Sequence, residues 1–137
     1  MLERVSSLGN VERLIDALNC FRCSRDTDIE MFLRERAVEF LRRGWCSVYL
    51  ILDEDAFDSG ALKIIAYFTL SNKVLDLPYG ELSKSKVKEV SGTKDAEYVH
   101  FILIGQLGKF INEGGHSEIT AKEILEYAFE IIYNVNY

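Results

Sequence analysis

Apolar residues along the chain fall into helix-like and strand-like rhythms in a definite order. Val11, Leu14, Ile15 and Leu18 recur at helical spacing, which predicts a short amphipathic helix over about residues 10 to 20. In "TDIEMFLRERAVEFLRRG", Ile29, Phe32, Leu33, Ala37, Phe40 and Leu41 make a single stripe, and Arg34, Glu35, Arg36, Glu39, Arg42 and Arg43 cover the rest. Thr27 with Glu30 reads as a capping box at its start, and Gly44 as its stop. "CSVYLILDED" (46 to 55) and "ALKIIAYFTLS" (61 to 71) are β-branched and aromatic and flank an acidic turn, so they predict two adjacent strands in a hairpin. A long connection over 72 to 97 follows, with a short helix near 81 to 90. "YVHFILIGQLGKF" predicts a third strand, almost uncharged from Val99 to Leu107, a pattern expected of burial on both faces. After a Gly-Gly loop, Thr120 and Glu123 form a second capping box. The helix behind it carries its stripe on Ile124, Leu125, Ala128, Ile131, Ile132 and Val135.

This rhythm describes an α+β chain, and composition agrees. The 137 residues are 48% hydrophobic and 28% charged, as expected of one globular domain over 1–137 with its own core. No apolar run reaches the length of a membrane span, and "MLERVSSLGN" lacks an export pattern, so the expected location is cytoplasmic, with no membrane partner. A net charge of -6 gives no general field for nucleic acid, and no direct nucleic-acid signal is read. Lys84, Lys86, Lys88 and Lys94 make the 72 to 97 connection the local segment best suited to an anionic group.

Three cysteines, an odd number, suit a reduced compartment. "CFRC" spaces Cys20 and Cys23 like half a zinc site, but Cys46, His100 and His116 are scattered singly, so no metal is expected and the thiols read as small apolar groups. Asp53, Glu54, Asp55 and Asp58 lack the alternation and distal Glu of a calcium loop and read as a solvated turn. His100 reads as a packed or hydrogen-bonded histidine.

Taken in order, "NCFRCSRDTDIEMFLRERAVEF", "SVYLILDED", "IIAYFTLS" with Ala66 in a glycine's place, "LIGQLGKF" and "ITAKEILEYAF" resemble the amino-terminal part of a GNAT-superfamily N-acetyltransferase, of the toxin-like and prophage-borne branch. The resemblance implies a GNAT-like mixed, mostly antiparallel sheet with flanking helices, truncated after the third family helix. The family's fifth strand, fourth helix and general-acid tyrosine then lie beyond Tyr137. It implies acetyl-CoA (CoA) as cofactor and an amine-bearing substrate. The cofactor-binding candidates are Ile104, Gly105, Gln106, Leu107, Gly108 and Lys109 on the strand, and Gly114, Gly115, Ser117, Ala121 and Lys122 at the loop and helix start. Only Ala121 matches the last place of the family's Gln/Arg-x-x-Gly-x-Gly/Ala signature, and Glu113, Glu118 and Glu123 oppose a pyrophosphate. Tyr67, His100 and His116 are the acid–base candidates. Two alternatives stand beside the enzyme. One is a non-catalytic interaction protein of phage or mobile-element origin. The other is one half of a split acetyltransferase. An apolar third strand at a sheet edge further implies a homodimer, or a partner chain that completes the sheet.

Overall fold

The computed structural model describes residues 2–4, 11–77, 83–92 and 97–134. β1 (Leu2–Arg4), β2 (Ser47–Leu52), β3 (Ile64–Asp76) and β4 (Tyr98–Lys109) form one sheet in that order, with β1–β2 and β2–β3 antiparallel. The helices are α1 (Val11–Cys20), α2 (Thr27–Met31), α3 (Ala37–Arg42), α4 (Glu54–Asp58), α5 (Lys84–Ser91) and α6 (Ala121–Asn134). A π-helical stretch, Phe32–Arg36, joins α2 to α3. Contacts divide the chain into two compact parts, Met1–Ser71 with Ile104–Tyr137, and Asn72–Leu103.

The core of the first part gathers on β2. All six of its residues are buried, and Val48, Leu50 and Leu52 pack with Leu14, Leu18 and Phe21 from α1 and its end, and with Phe32, Leu33 and Ala37 from the second helical run. Tyr67 of β3 is fully buried among them. Phe21 meets its ring edge-on at 5.4 Å, and Phe32 stacks at 6.1 Å. Each fully buried Leu, Ile or Phe contributes roughly 1.5–3 kcal/mol by leaving water, so this cluster sets where the helices lie.

Several sequence expectations change. The helix over 27 to 43 is capped by Asp26, not Thr27: the Asp26 carboxylate accepts from the amides of Asp28 and Ile29. Glu30, read as Thr27's partner, instead accepts from the Cys23 amide and pairs with Arg34 at 3.5 Å. The acidic turn is the short helix α4, because the Asp53 side chain caps the Ala56 amide. β3 runs on to Asp76, into what read as connection, and the second part supplies α5 at Lys84–Ser91, close to the helix expected there. Lys84, Lys86 and Lys88 lie exposed on α5, where Lys86 pairs with Glu89 at 3.3 Å; Lys94 falls outside the described residues. The expected two-faced burial of β4 is wrong: Phe101 is 39% and Leu103 41% exposed. β4 has β3 on one side, and no described strand on the other.

Candidate functional site: the β4 edge, the Asn112 loop and the start of α6

Two hydrogen bonds fix which way the β4 main chain faces. The Phe110 amide donates to the Ile65 carbonyl at 2.8 Å, and the Gln106 amide donates to Thr69 Oγ1 at 2.9 Å. Main-chain groups alternate sides along a strand, so Ile104, Gln106 and Gly108 turn theirs toward β3. Gly105, Leu107 and Lys109 then turn their N–H and C=O groups to the side on which no described strand is paired. The candidate strand residues therefore split by parity: three present a main-chain edge, and three hold the sheet.

Glycine at 105 and 108 answers to packing on the β3 side. A Cβ at Gly105 would lie 3.0 Å from Thr69 Oγ1, and one at Gly108 would lie 2.3 Å from Ile29 Cγ2 and 2.7 Å from Tyr67 Cε1. Gly108 is thus the point where α2 and Tyr67 close on β4. The Tyr67 hydroxyl donates to the Ile29 carbonyl at 2.6 Å. Burial, then the nearby Cys23 and Asp26, push this phenol well above its ordinary value. A phenol so buried and so bonded is a structural clamp and has no route to a surface substrate.

Beyond β4, Asn112 organises the loop. Its side-chain oxygen accepts from the His116 amide at 2.9 Å, its own amide donates to the His116 carbonyl at 3.2 Å, and its carbonyl accepts from Gly115 at 2.9 Å. Gly115 supplies the positive φ of 76° that this turn needs. Asn-x-x-Gly is the sequence signal for this role. The loop is also tied to the α1–α2 connector. Cys23 pairs with Ile111 in a parallel bridge, Ser24 Oγ donates to the Asn112 carbonyl at 2.7 Å, and Arg25 Nη2 donates to the Gly115 carbonyl at 3.3 Å. Cys23 is buried there and Cys20 exposed, both as free thiols.

The capping box at α6 is as expected. Glu123 N–H donates to Thr120 Oγ1 at 3.2 Å, and Thr120 N–H to Glu123 Oε1 at 3.2 Å. The Ser117 hydroxyl is committed to the Ile119 carbonyl at 2.7 Å. Among the described residues the amides of Gly114, Ser117, Ala121 and Lys122 have no acceptor, and the last two are open donors at the positive end of a 14-residue helix. Glu118 is offset by Lys63 at 2.8 Å, and that hydrogen bond raises the Lys63 ammonium's pKa above its ordinary value, against a smaller opposing effect of burial. A cavity of about 140 Å³ lies against the loop, lined by Lys63, Ile65, Phe110, Asn112, His116 and Glu118. It is smaller than ligand pockets usually are, at about 300–1,000 Å³.

His116 is exposed on this loop and His100 is exposed in the second part, its ring edge-on to Tyr98 at 5.4 Å. Of the acid–base candidates in the first part, Tyr67 is buried and His116 is exposed. Among the described residues no cluster of three or more His, Cys, Asp or Glu could hold a metal, and no helix is long and apolar enough to cross a membrane.

No family model matches the chain and no curated protein does. Solved structures do. A Tyr-to-Phe mutant of the AtaT toxin, bound to the C-terminus of the antitoxin AtaR and acetyl-CoA, aligns with TM-score 0.65 at 12% identity over 98% of this chain and 66% of its own. AtaT complexed with acetyl-methionyl-tRNAfMet gives 0.67 at 16% identity, over 98% and 69%. A mutant of KacT gives 0.68 at 14%, again over 98% and 69%. The chain has the GNAT-like fold of these neighbours. It spans about two thirds of the length of these neighbours, 66 to 69%. The likeness places β4, the Asn112 loop and α6 within that fold, and leaves substrate and activity to be argued from the residues.

Proposed function

We propose that this chain binds acetyl-CoA and serves acetyl transfer to an amine, with the α-amino group of a charged tRNA as the acceptor class. The observation that carries the reading is the combination, among the described residues, of an open main-chain edge at Gly105, Leu107 and Lys109 with unpaired amides at Gly114, Ser117, Ala121 and Lys122. An amide-bearing, anionic ligand fits such a set: the strand edge offers donors and acceptors to its amides, and the loop and α6 offer donors to its phosphates. AtaT, of the same fold, has been solved with acetyl-CoA and with acetyl-methionyl-tRNAfMet, which supports both cofactor and acceptor.

The cofactor would supply a thioester: a neutral amine would attack its acyl carbon, the C–S bond would break, and CoA would leave as a thiolate that takes up a proton while the amine loses one. The residues' part is placement and charge. The outward N–H groups of β4, Leu107 among them, are positioned to donate to an oxyanion on that edge. Gly108 and Tyr67 hold this part of β4 against α2, which fixes the donors before any ligand arrives. Glu123, bonded by the Thr120 amide and hydroxyl, is occupied by capping. For the amine proton, His116 is the one acid–base candidate that lies on the loop itself.

Calorimetry with acetyl-CoA tests the cofactor. Binding to the folded state alone raises stability by about 2.7 kcal/mol at a hundredfold excess over the dissociation constant. No heat and no thermal shift at millimolar acetyl-CoA would remove the reading. Thiol release with a mixture of charged tRNAs should exceed that with simple polyamines. Binding without release from any acceptor would favour the second reading, a non-catalytic interaction protein. That reading is supported by Tyr67, whose hydroxyl is buried and spent on the Ile29 carbonyl.

A further inference from the structure

The α1–α2 connector brings a cation to the loop from far away in sequence. The Ile111 amide donates to the Arg22 carbonyl at 3.0 Å, the Ser24 amide to the Ile111 carbonyl at 3.1 Å, and Ser24 Oγ to the Asn112 carbonyl at 2.7 Å. Arg25 follows this clamp directly, so its main chain is held beside the Gly114–Gly115 turn. Its guanidinium makes a single bond there, Nη2 to the Gly115 carbonyl at 3.3 Å. A Cβ built on Gly115 would meet the same nitrogen at 3.4 Å. Lys63, which lines the adjoining cavity, is spent on Glu118 at 2.8 Å. Arg25 has no carboxylate partner among the described residues, and a guanidinium carries five N–H donors in a planar fork.

The loop's own charges pose a problem that this arginine answers. Glu113, Glu118 and Glu123 surround a turn whose open amides otherwise suit an anion. Lys63 offsets Glu118 and Thr120 occupies Glu123, which leaves Glu113 as the acid beside Gly114. We infer that Arg25 is a phosphate-binding residue of the acetyl-CoA site, donating from the α1–α2 connector to the diphosphate held at the Gly114–Gly115 turn. The inference rests on the acetyl-CoA reading and adds to it a residue that comes from outside the β4–α6 segment. The glycine at 115 is required by its φ of 76°, and a Cβ there would touch the guanidinium at ordinary contact distance.

Three probes separate the contributions of the ligand's parts. Acetyl-CoA carries the diphosphate and a ribose 3′-phosphate, acetyl-dephospho-CoA only the diphosphate, and S-acetylpantetheine neither. Arg25→Gln should weaken the first two by about ten- to a hundred-fold, the range expected for one lost charged hydrogen bond, and leave the third unchanged. Arg25→Lys should recover part of the loss, because it restores the charge and not the fork. An unchanged melting temperature of Arg25→Gln, expected for an exposed side chain with one bond, keeps the comparison at the ligand. Equal affinity of wild type and Arg25→Gln for acetyl-CoA would overturn the inference. So would an equal loss on S-acetylpantetheine, or a loss seen with acetyl-CoA and absent with acetyl-dephospho-CoA, which would move Arg25 to the 3′-phosphate. Wild-type protein that fails to bind acetyl-CoA is a different result: it removes the cofactor reading, and this inference with it.

Discussion

β2 and β4 are both apolar strands, and the chain treats them oppositely. "SVYLIL" is buried at every position, whereas "YVHFILIGQLGK" is buried only at Gly108 and elsewhere exposed or half-buried. β2 has β1 on one side and β3 on the other, with α1, α2 and α3 contributing to the same cluster. β4 has β3 alone. An apolar run therefore states what a strand tolerates, and sheet order decides what it gets. The difference also separates the work: β2 anchors the core, and β4 offers a main-chain edge.

The contrast breaks most visibly in stability. Leu50 is fully buried at the centre of β2, opposite Tyr67. Leu50→Ala removes its packing and leaves a void, for an expected loss of about 2–5 kcal/mol, read as a lowered midpoint in urea at unchanged slope. Leu103→Ala, the same chemistry on a side chain 41% exposed, should stay within about 0.5 kcal/mol. Equal losses would mean that β4 is as enclosed as β2.

A smaller effect sharpens the comparison within β4 itself. Gly108→Ala forces a methyl to within 2.3 Å of Ile29 and 2.7 Å of Tyr67, neither of which is the free end of a long side chain. Overpacking of this kind costs about 1–3 kcal/mol, and here it pushes α2 away from β4. Gly105→Ala meets only Thr69 Oγ1 at 3.0 Å, and should cost less while disturbing the Gln106–Thr69 bond. Denaturation of both variants, with the Tyr67 environment followed by near-ultraviolet dichroism, orders them. A larger effect at Gly105 would place the tight joint at Thr69 instead.

What could be read ahead of the structure follows the range of the interaction. The Thr120–Glu123 box closes within one turn, so its residues alone predict it, and both of its bonds are present. At the second helix the same pattern, Thr27 and Glu30, misled because Asp26 sits one residue earlier and Glu30 finds the Cys23 amide. The β2–β3 hairpin is legible from β-branched and aromatic content around an acidic turn, and it pairs as expected. The far half of β3 is not, since "NKVLD" is polar and exposed and looks like loop. Around the candidate site, Gly114, Gly115, Ala121 and Lys122 are named by the family resemblance. Ser24 and Arg25 are not legible locally, because they reach the loop across 88 and 90 residues. Tyr67 shows the converse. As a tyrosine on a strand it reads as an acid, and only its burial and its bond to Ile29 reveal a clamp.

The smallest effect on folding carries the sharpest question about β4. In the second part, Val74, Leu75, Tyr98, Phe101 and Leu103 are all exposed, an unusual density of large apolar side chains for two strands. Phe129 and Tyr133 add exposure on α6, at 44% and 78%. Such side chains cost little where they stand, so Phe101→Ser with Leu103→Ser should shift the midpoint of unfolding by no more than about 0.5 kcal/mol per site. If the strand edge pairs with a second copy, as unpaired edges readily do, wild-type protein should show a mass that rises with concentration in light scattering. The double variant should then stay at monomer mass over the same range. Retained association in the variant would move the interface to α6. A wild-type monomer at every concentration, with a single cooperative melt, would leave the β4 edge for a ligand rather than a second copy.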